Sequence, residues 1–166
     1  MISVEKAAPS ELAVVQKLAT TIWNIVYPPI ISREQIDYML EMMYSDSALE
    51  KQTSQQHQFL LVKENEEPLG FASYSPKEPG NGSVFRLHKL YVLPDQHGKG
   101  LGKKLLAYIK NEITPLGAKA LELNVNKKNP AVGFYQKMGF AVDREMILDI
   151  GNGYVMDDYV MTLHYQ

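Results

Sequence analysis

No cysteine occurs in the 166 residues of this chain. That excludes a disulfide framework, a thiol nucleophile and a Cys-based metal site. Long apolar runs are lacking too, so no stretch reads as a membrane span. The amino-terminal Met1-Ile2-Ser3-Val4-Glu5-Lys6 does not have the basic-then-apolar form of a signal peptide. Charge of one sign is scarce: the net is −2, which gives no general pull toward nucleic acid or an anionic membrane. Repeats, low-complexity tracts and linkers are not found. The expectation is a cytoplasmic protein forming one domain over residues 1–166, with no metal, nucleic-acid or membrane partner. A hydrophobic share of 45% is ample for a single core.

Periodicity orders what is present. A strand over Ile2–Ala7 leads to a helix capped by Ser10, with Leu12, Val15, Leu18, Ala19 and Ile22 at helical spacing and Pro28-Pro29 as its stop. Ser32 and Gln35 form a capping-box pattern for a second helix with a stripe of Ile36, Met39, Leu40 and Met43. Ser47 and Glu50 repeat that pattern for a third, short helix. Three strands follow at Gln58–Lys63, Leu69–Ser75 and Ser83–Leu93. The next helix buries Leu101, Leu105, Leu106, Ile109 and Ile113 and ends before Pro115. A strand at Ala120–Val125 precedes a helix opened by Asn129 as cap and Pro130 in its first turn, with Phe134 and Met138 facing the core. Gly139 closes it; strands at Phe140–Asp149 and near Asp157–His164 flank the Gly151-Asn152-Gly153 turn. The fold class is mixed α/β (α+β).

The segment richest in chemistry is Leu90-Tyr91-Val92-Leu93-Pro94-Asp95-Gln96-His97-Gly98-Lys99-Gly100-Leu101-Gly102-Lys103-Lys104. A strand ends at a proline, passes three alternating glycines and enters an amphipathic helix. Glycines let amide N–H groups turn inward without side chains in the way, and the first turn of a helix adds unpaired N–H groups and the positive end of its dipole. This order suits a diphosphate. Two common phosphate loops fail on spacing. G-x-x-x-x-G-K-[ST] would need glycine at His97 and Ser or Thr at Lys104, and G-x-G-x-x-G does not fit glycines at 98, 100 and 102.

The segment resembles the acyl-CoA pyrophosphate loop of the GNAT superfamily of N-acyltransferases, [Q/R]-x-x-G-x-[G/A], with Gly100 and Gly102 at the small positions and His97 where Gln or Arg is usual. A second family signature is matched by Asn129, Tyr135, Gly139 and Phe140, with one residue of slack at Pro130-Ala131. The resemblance covers nearly the whole chain. It implies a strongly twisted, mostly antiparallel mixed sheet of about seven strands flanked by helices, with strands four and five splayed around the cofactor. It further implies that acetyl-CoA is the co-substrate. Its pantetheine arm would pair with the backbone of Leu90, Tyr91 and Val92 as an added strand. Its pyrophosphate would meet His97, Gly98, Lys99, Gly100, Leu101, Gly102 and Lys103, with Asn129 touching it from the other side. Tyr135 is implied as the acid that protonates the departing thiolate. A phenol of pKa about 10 stays protonated at neutral pH and can donate to a thiolate of about 8.5.

The proton of the attacking amine needs an acceptor. His88, which shares alternation parity with Leu90 and Val92, and Glu122 are the two candidates. Trp23 and Tyr27, amid Glu34, Asp37 and Glu41 in the first helices, are the candidate acceptor-binding residues, since aromatics with carboxylates suit a cationic amine. This region loosely resembles bacterial polyamine acetyltransferases. The implied reaction is acetyl transfer to a primary amine of a small molecule or peptide by direct attack. A non-catalytic acyl-CoA sensor is the alternative. Exposed strand edges and aromatics are compatible with a homodimer.

Overall fold

The structure, a computed structural model, describes residues 1–165. The elements in chain order are β1 (Ile2–Lys6), α1 (Leu12–Val26), α2 (Arg33–Tyr44), α3 (Asp46–Ser54), β2 (Gln58–Glu64), β3 (Glu67–Glu78), β4 (Asn81–Val92), α4 (Leu101–Ile113), β5 (Ala120–Asn126), α5 (Ala131–Lys137), β6 (Ala141–Gly151) and β7 (Tyr154–His164). Seven strands hydrogen-bond in the order β1-β2-β3-β4-β5-β7-β6. β4 and β5 run parallel; β1–β2, β2–β3, β5–β7 and β6–β7 are antiparallel. The mixed sheet read from the sequence is therefore present. The chain divides into two compact units: Met1–Ser75 with Lys89–Lys110, and Pro76–His88 with the chain from Asn111 onward.

In the first unit, β2 carries the unbroken apolar run Phe59-Leu60-Leu61-Val62, buried at every position, as a strand covered on both faces must be. α1 buries Val15, Leu18, Ala19, Ile22 and Trp23, and α2 buries Ile36, Met39 and Tyr44. Ser32 caps α2 by accepting from the Gln35 amide at 3.1 Å, a contact worth about 1 kcal/mol. Two caps differ from the sequence reading. Ser10 lies inside a 3₁₀ turn, Pro9–Glu11, and α1 follows it with no side-chain cap. The α3 cap is Ser45, which accepts from the Ala48 amide, so Ser47 sits within the helix. One residue thus closes α2 and opens α3.

Gly70 on β3 marks a close approach to the end of β4. A Cβ there would stand 2.6 Å from the Tyr91 carbonyl oxygen and 3.1 Å from the Val92 Cα. Only glycine lets the two backbones come this near.

The second unit holds the start of β4 with β5, α5, β6 and β7. Its parallel pairing is brief, Val84–Leu87 against Ala120–Leu123. Phe85, Leu87, Leu121 and Leu123 are buried on one face, and the alternate positions, Arg86 and Glu122, share the other. β6 and β7 pair as far as Gly151↔Tyr154, so both strands outrun the lengths read from side-chain pattern. In α5 the buried side chain is Tyr135, while Phe134 and Met138 are only half-buried, which reverses the inward face assigned from spacing. Pro130 stands at the cap and not in the first turn; the Asn129 Oδ1 accepts from the Ala131 amide at 2.8 Å and so holds the helix start from one residue earlier.

Candidate active site

In the first unit, β4 ends at Val92, Pro94–Gln96 form one 3₁₀ turn, and α4 starts at Leu101. Between them Gly98 and Gly100 take φ of +92° and +73°, which side-chain-bearing residues rarely adopt. A Cβ built at either would meet nothing within 4 Å, so the space over the turn is open and the need for glycine is conformational. The first helical bond is donated by the Lys104 amide to the Gly100 carbonyl at 3.0 Å. The amides of Leu101, Gly102 and Lys103 thus precede the internal ladder of α4 and carry the positive end of its dipole. Open space over the turn, two left-handed glycines and a helix start fit a diphosphate.

The side chains around the turn are partly committed. His97 Nε2 lies 3.2 Å from the Val92 carbonyl, and the Lys99 ammonium donates to Gln96 at 2.6 Å and Glu64 at 3.2 Å. The Lys103 and Lys104 side chains are exposed. Leu90, Tyr91 and Val92 are half-buried along the end of β4.

Trp23 and Tyr27 are in the core, not on a surface. Their ring centroids are 4.4 Å apart, Trp23 stands 5.9 Å from Tyr91, and the Tyr27 and Tyr91 hydroxyls meet at 3.1 Å. Phe71 and Tyr44 extend the cluster. Beside it lies Lys89, a residue the sequence reading passed over. It is 4% exposed; its ammonium donates to Gln52 Oε1 at 2.7 Å and lies 5.3 and 5.5 Å from the ring centres of Tyr44 and Phe59. Burial pushes the Lys89 amine down to about 8. Burial first, then the Lys89 charge, pushes His57 down to about 4.

The second unit brings His88, Glu122, Asn129 and Tyr135. His88 follows Arg86 on the β4 face that Glu122 shares. Glu122, 4% exposed, is gripped by cations. Lys77 donates to one oxygen at 3.0 Å and Arg86 to the other, and Arg144 stands 3.8 Å away. Both oxygens of this carboxylate are thus engaged by cations. Arg86 also donates to Asn124 Oδ1. The Tyr135 ring packs at 5.4 Å from Phe134 and 5.6 Å from Phe140.

Asp158 on β7 is the other charged side chain missed from sequence. It is 5% exposed, its Oδ1 is buried with no hydrogen-bond partner, and burial raises its pKa. Both missed residues carried a legible sign. Lys89 continues the buried parity of Phe85 and Leu87, and Asp158 interrupts that of Met156 and Val160. Among the described residues, no group of three or more His, Cys, Asp or Glu is placed to hold a metal ion, and no helix is long and apolar enough to cross a membrane.

Three kinds of known protein resemble this chain. A family model described as an acetyltransferase (GNAT) domain matches residues 28–162. The L-amino acid N-acyltransferase MnaT of Escherichia coli is 33% identical over 89 residues, 52% of each chain. The peptidyl-lysine N-acetyltransferase YjaB of Salmonella typhimurium is 35% identical over 98 residues, 58% of this chain and 59% of that one. The matches thus span little more than half the length of these curated relatives. Among solved structures, the PaiA N-acetyltransferase of Thermoplasma acidophilum, in complex with coenzyme A, superposes with a TM-score of 0.82 at 23% identity, covering 99% of both chains.

Proposed function

The chain belongs to the GNAT family of acetyltransferases, and from that premise we propose that it transfers an acetyl group from acetyl-CoA to a primary amine. Residues 1–166 would form one acetyltransferase domain, with the family match at 28–162 running through both compact units. The observation that carries it is the turn at Gly98 and Gly100, open to solvent and leading into the first amides of α4. Those amides, with Lys103, would bind the pyrophosphate of coenzyme A. The backbone of Leu90, Tyr91 and Val92 would order the pantetheine arm, and Asn129 would add a polar contact.

When bound, acetyl-CoA supplies a thioester carbonyl open to attack. Tyr135 would hold a proton at its phenolic oxygen for the departing sulfur. Main-chain N–H groups of β4 would receive the charge that develops on the carbonyl oxygen. No thiol is available in the chain to carry an acyl group, so direct attack by the amine is the route the residues support. The matched relatives act, by their names, on L-amino acids and on peptidyl-lysine, which supports a small-molecule or peptide amine as acceptor.

The test is calorimetric titration with coenzyme A together with release of free thiol from acetyl-CoA across a panel of amino acids, polyamines and lysine peptides. Micromolar uptake and amine-dependent thiol release are expected. Absence of uptake refutes the reading. Uptake without release from any amine would favour a sensor.

A further inference from the structure

The polar face of the second unit has an imbalance of charge. Register places Arg86 beside Glu122, Glu122 beside Thr162, Asn124 beside Val160 and Asn126 beside Asp158, so these side chains share one side of β4, β5 and β7. The cations on that side converge on Glu122: Lys77, Arg86 and Arg144 all lie within 4 Å of it. Asp158 has none. Its Oδ1 is buried without a partner, and the Thr162 Oγ1, on the same side of β7, is likewise buried and unpartnered. A buried carboxylate oxygen left unpaired is costly, and a catalytic or binding role is one of the few reasons a protein keeps such a group.

We propose that Asp158 binds the ammonium group of the acceptor and takes its proton, an inference that rests on the acetyl-transfer reading. The surroundings suit the task. Met146 is its β6 partner, and Met156 and Val160, both buried, flank it on β7, so water is largely excluded. Asn124, which hydrogen-bonds the Asp158 carboxylate, and Asn126 face it from β5 and are neutral. Asp157, its neighbour in sequence, points to the opposite side and is paired with Lys127 at 2.9 Å. Burial, and secondarily the Asp157 charge, raise the Asp158 pKa, while Asn124 offsets part of the rise. That direction makes the carboxylate a better proton acceptor.

Of the three protons on the acceptor's ammonium, one passes to Asp158 and on to solvent. The freed amine forms the C–N bond as the C–S bond breaks. The second leaves nitrogen and replaces the proton that Tyr135 gave to sulfur. The third stays on the amide product.

Two measurements on the full chain test this. In protein labelled with ¹³C at the aspartate carboxyl, with Asp158→Asn to assign the signal, Asp158 titrates above the ordinary aspartate range. Saturating Nα-acetyl-L-lysine amide or L-methionine sulfone lowers its midpoint, because the bound ammonium favours the carboxylate. In kinetics, Asp158→Asn lowers kcat/KM about 100-fold at pH 7. The loss shrinks as pH approaches the free amine's own pKa, while coenzyme A affinity holds and Tm does not fall. A deficit equal at every pH, or a carboxyl signal blind to both amines, overturns the proposal. So does an acid limb of the rate profile that His88→Gln abolishes and Asp158→Asn leaves intact. A carboxyl that responds to amine in a protein without turnover would retain the ammonium site and reject acetyl transfer.

Discussion

Replacing Lys89 by methionine exchanges a buried ammonium for an apolar chain of similar length. Lowering a lysine from an ordinary 10.5 to about 8 by burial costs the folded state about 3 kcal/mol, at about 1.4 kcal/mol for each tenfold loss of proton affinity. The sign follows from proton counts. Below pH 8 the folded and unfolded chains both hold the proton, so the cost is present in full. Between pH 8 and 10.5 the folded chain releases the proton while the unfolded chain keeps it, so stability rises with pH. The Lys89→Met variant loses the charge-assisted bond to Gln52 Oε1, about 2 kcal/mol, and the contacts with the rings of Tyr44 and Phe59, about 1 kcal/mol more. At pH 7 the two sides nearly cancel, and the variant is expected to match the parent in stability. The decisive assay is urea unfolding of both proteins at several pH values from 7.5 to about 10.5. All other groups cancel in the difference, so the parent should gain about 3 kcal/mol on the variant across the range. Parallel curves would refute the argument and show that the ammonium is solvated as well inside as outside.

Other substitutions read other links of the chain. Tyr135→Phe is expected to lower kcat at least tenfold with acetyl-CoA affinity nearly unchanged, measured by thiol release and calorimetry. Gly70→Ala pushes a methyl group against the Tyr91 carbonyl; it should cost about 1–3 kcal/mol in unfolding and weaken coenzyme A binding through displaced β4 backbone. Gly100→Ala meets no atom, so its cost of about 1 kcal/mol is backbone strain alone, with loss of coenzyme A affinity as the larger effect. Arg86→Met strips Glu122 of one of its two direct partners and should destabilise by about 3 kcal/mol, read as a drop in Tm. His57, held neutral to about pH 4, makes the protein lose stability as pH falls from 6.5 toward 4, because the unfolded chain binds the proton first; His57→Gln should flatten that slope.

Where local chemistry decides structure, the sequence was readable. The Ser32 cap, the glycine turn after β4 and the element order all depend on a few neighbouring residues. The α3 start did not follow its best local pattern, because Tyr44, packed edge-on against Trp23 and Phe71, fixes where α2 ends and leaves Ser45 to open the next helix. The inward face of α5 was misjudged because a helix of 7 residues gives too few repeats for periodicity to choose between Phe134 and Tyr135. β6 and β7 extend past their apolar pattern because backbone pairing, once begun, continues to the Gly151–Tyr154 turn without help from side chains. The placement of Glu122 among three cations could not be read at all, since Lys77, Arg86 and Arg144 come from three different strands.

The outer rim of the sheet has a bearing on solubility. β6 is the last strand in the order, and its first five residues, Ala141 to Glu145, are all exposed. Asp143, Arg144 and Glu145 stand there in succession, with a register irregularity between Val142 and Arg144. Consecutive charges and a kink are what keep an open border from templating fibrils. Farther along, Ile147 is 71% exposed and Val155 is 54% exposed, each opposite an aspartate, Asp157 and Asp149. Neutralising the three charges together would leave only the kink to guard that margin, and the protein should then precipitate more readily under conditions in which its fold is intact.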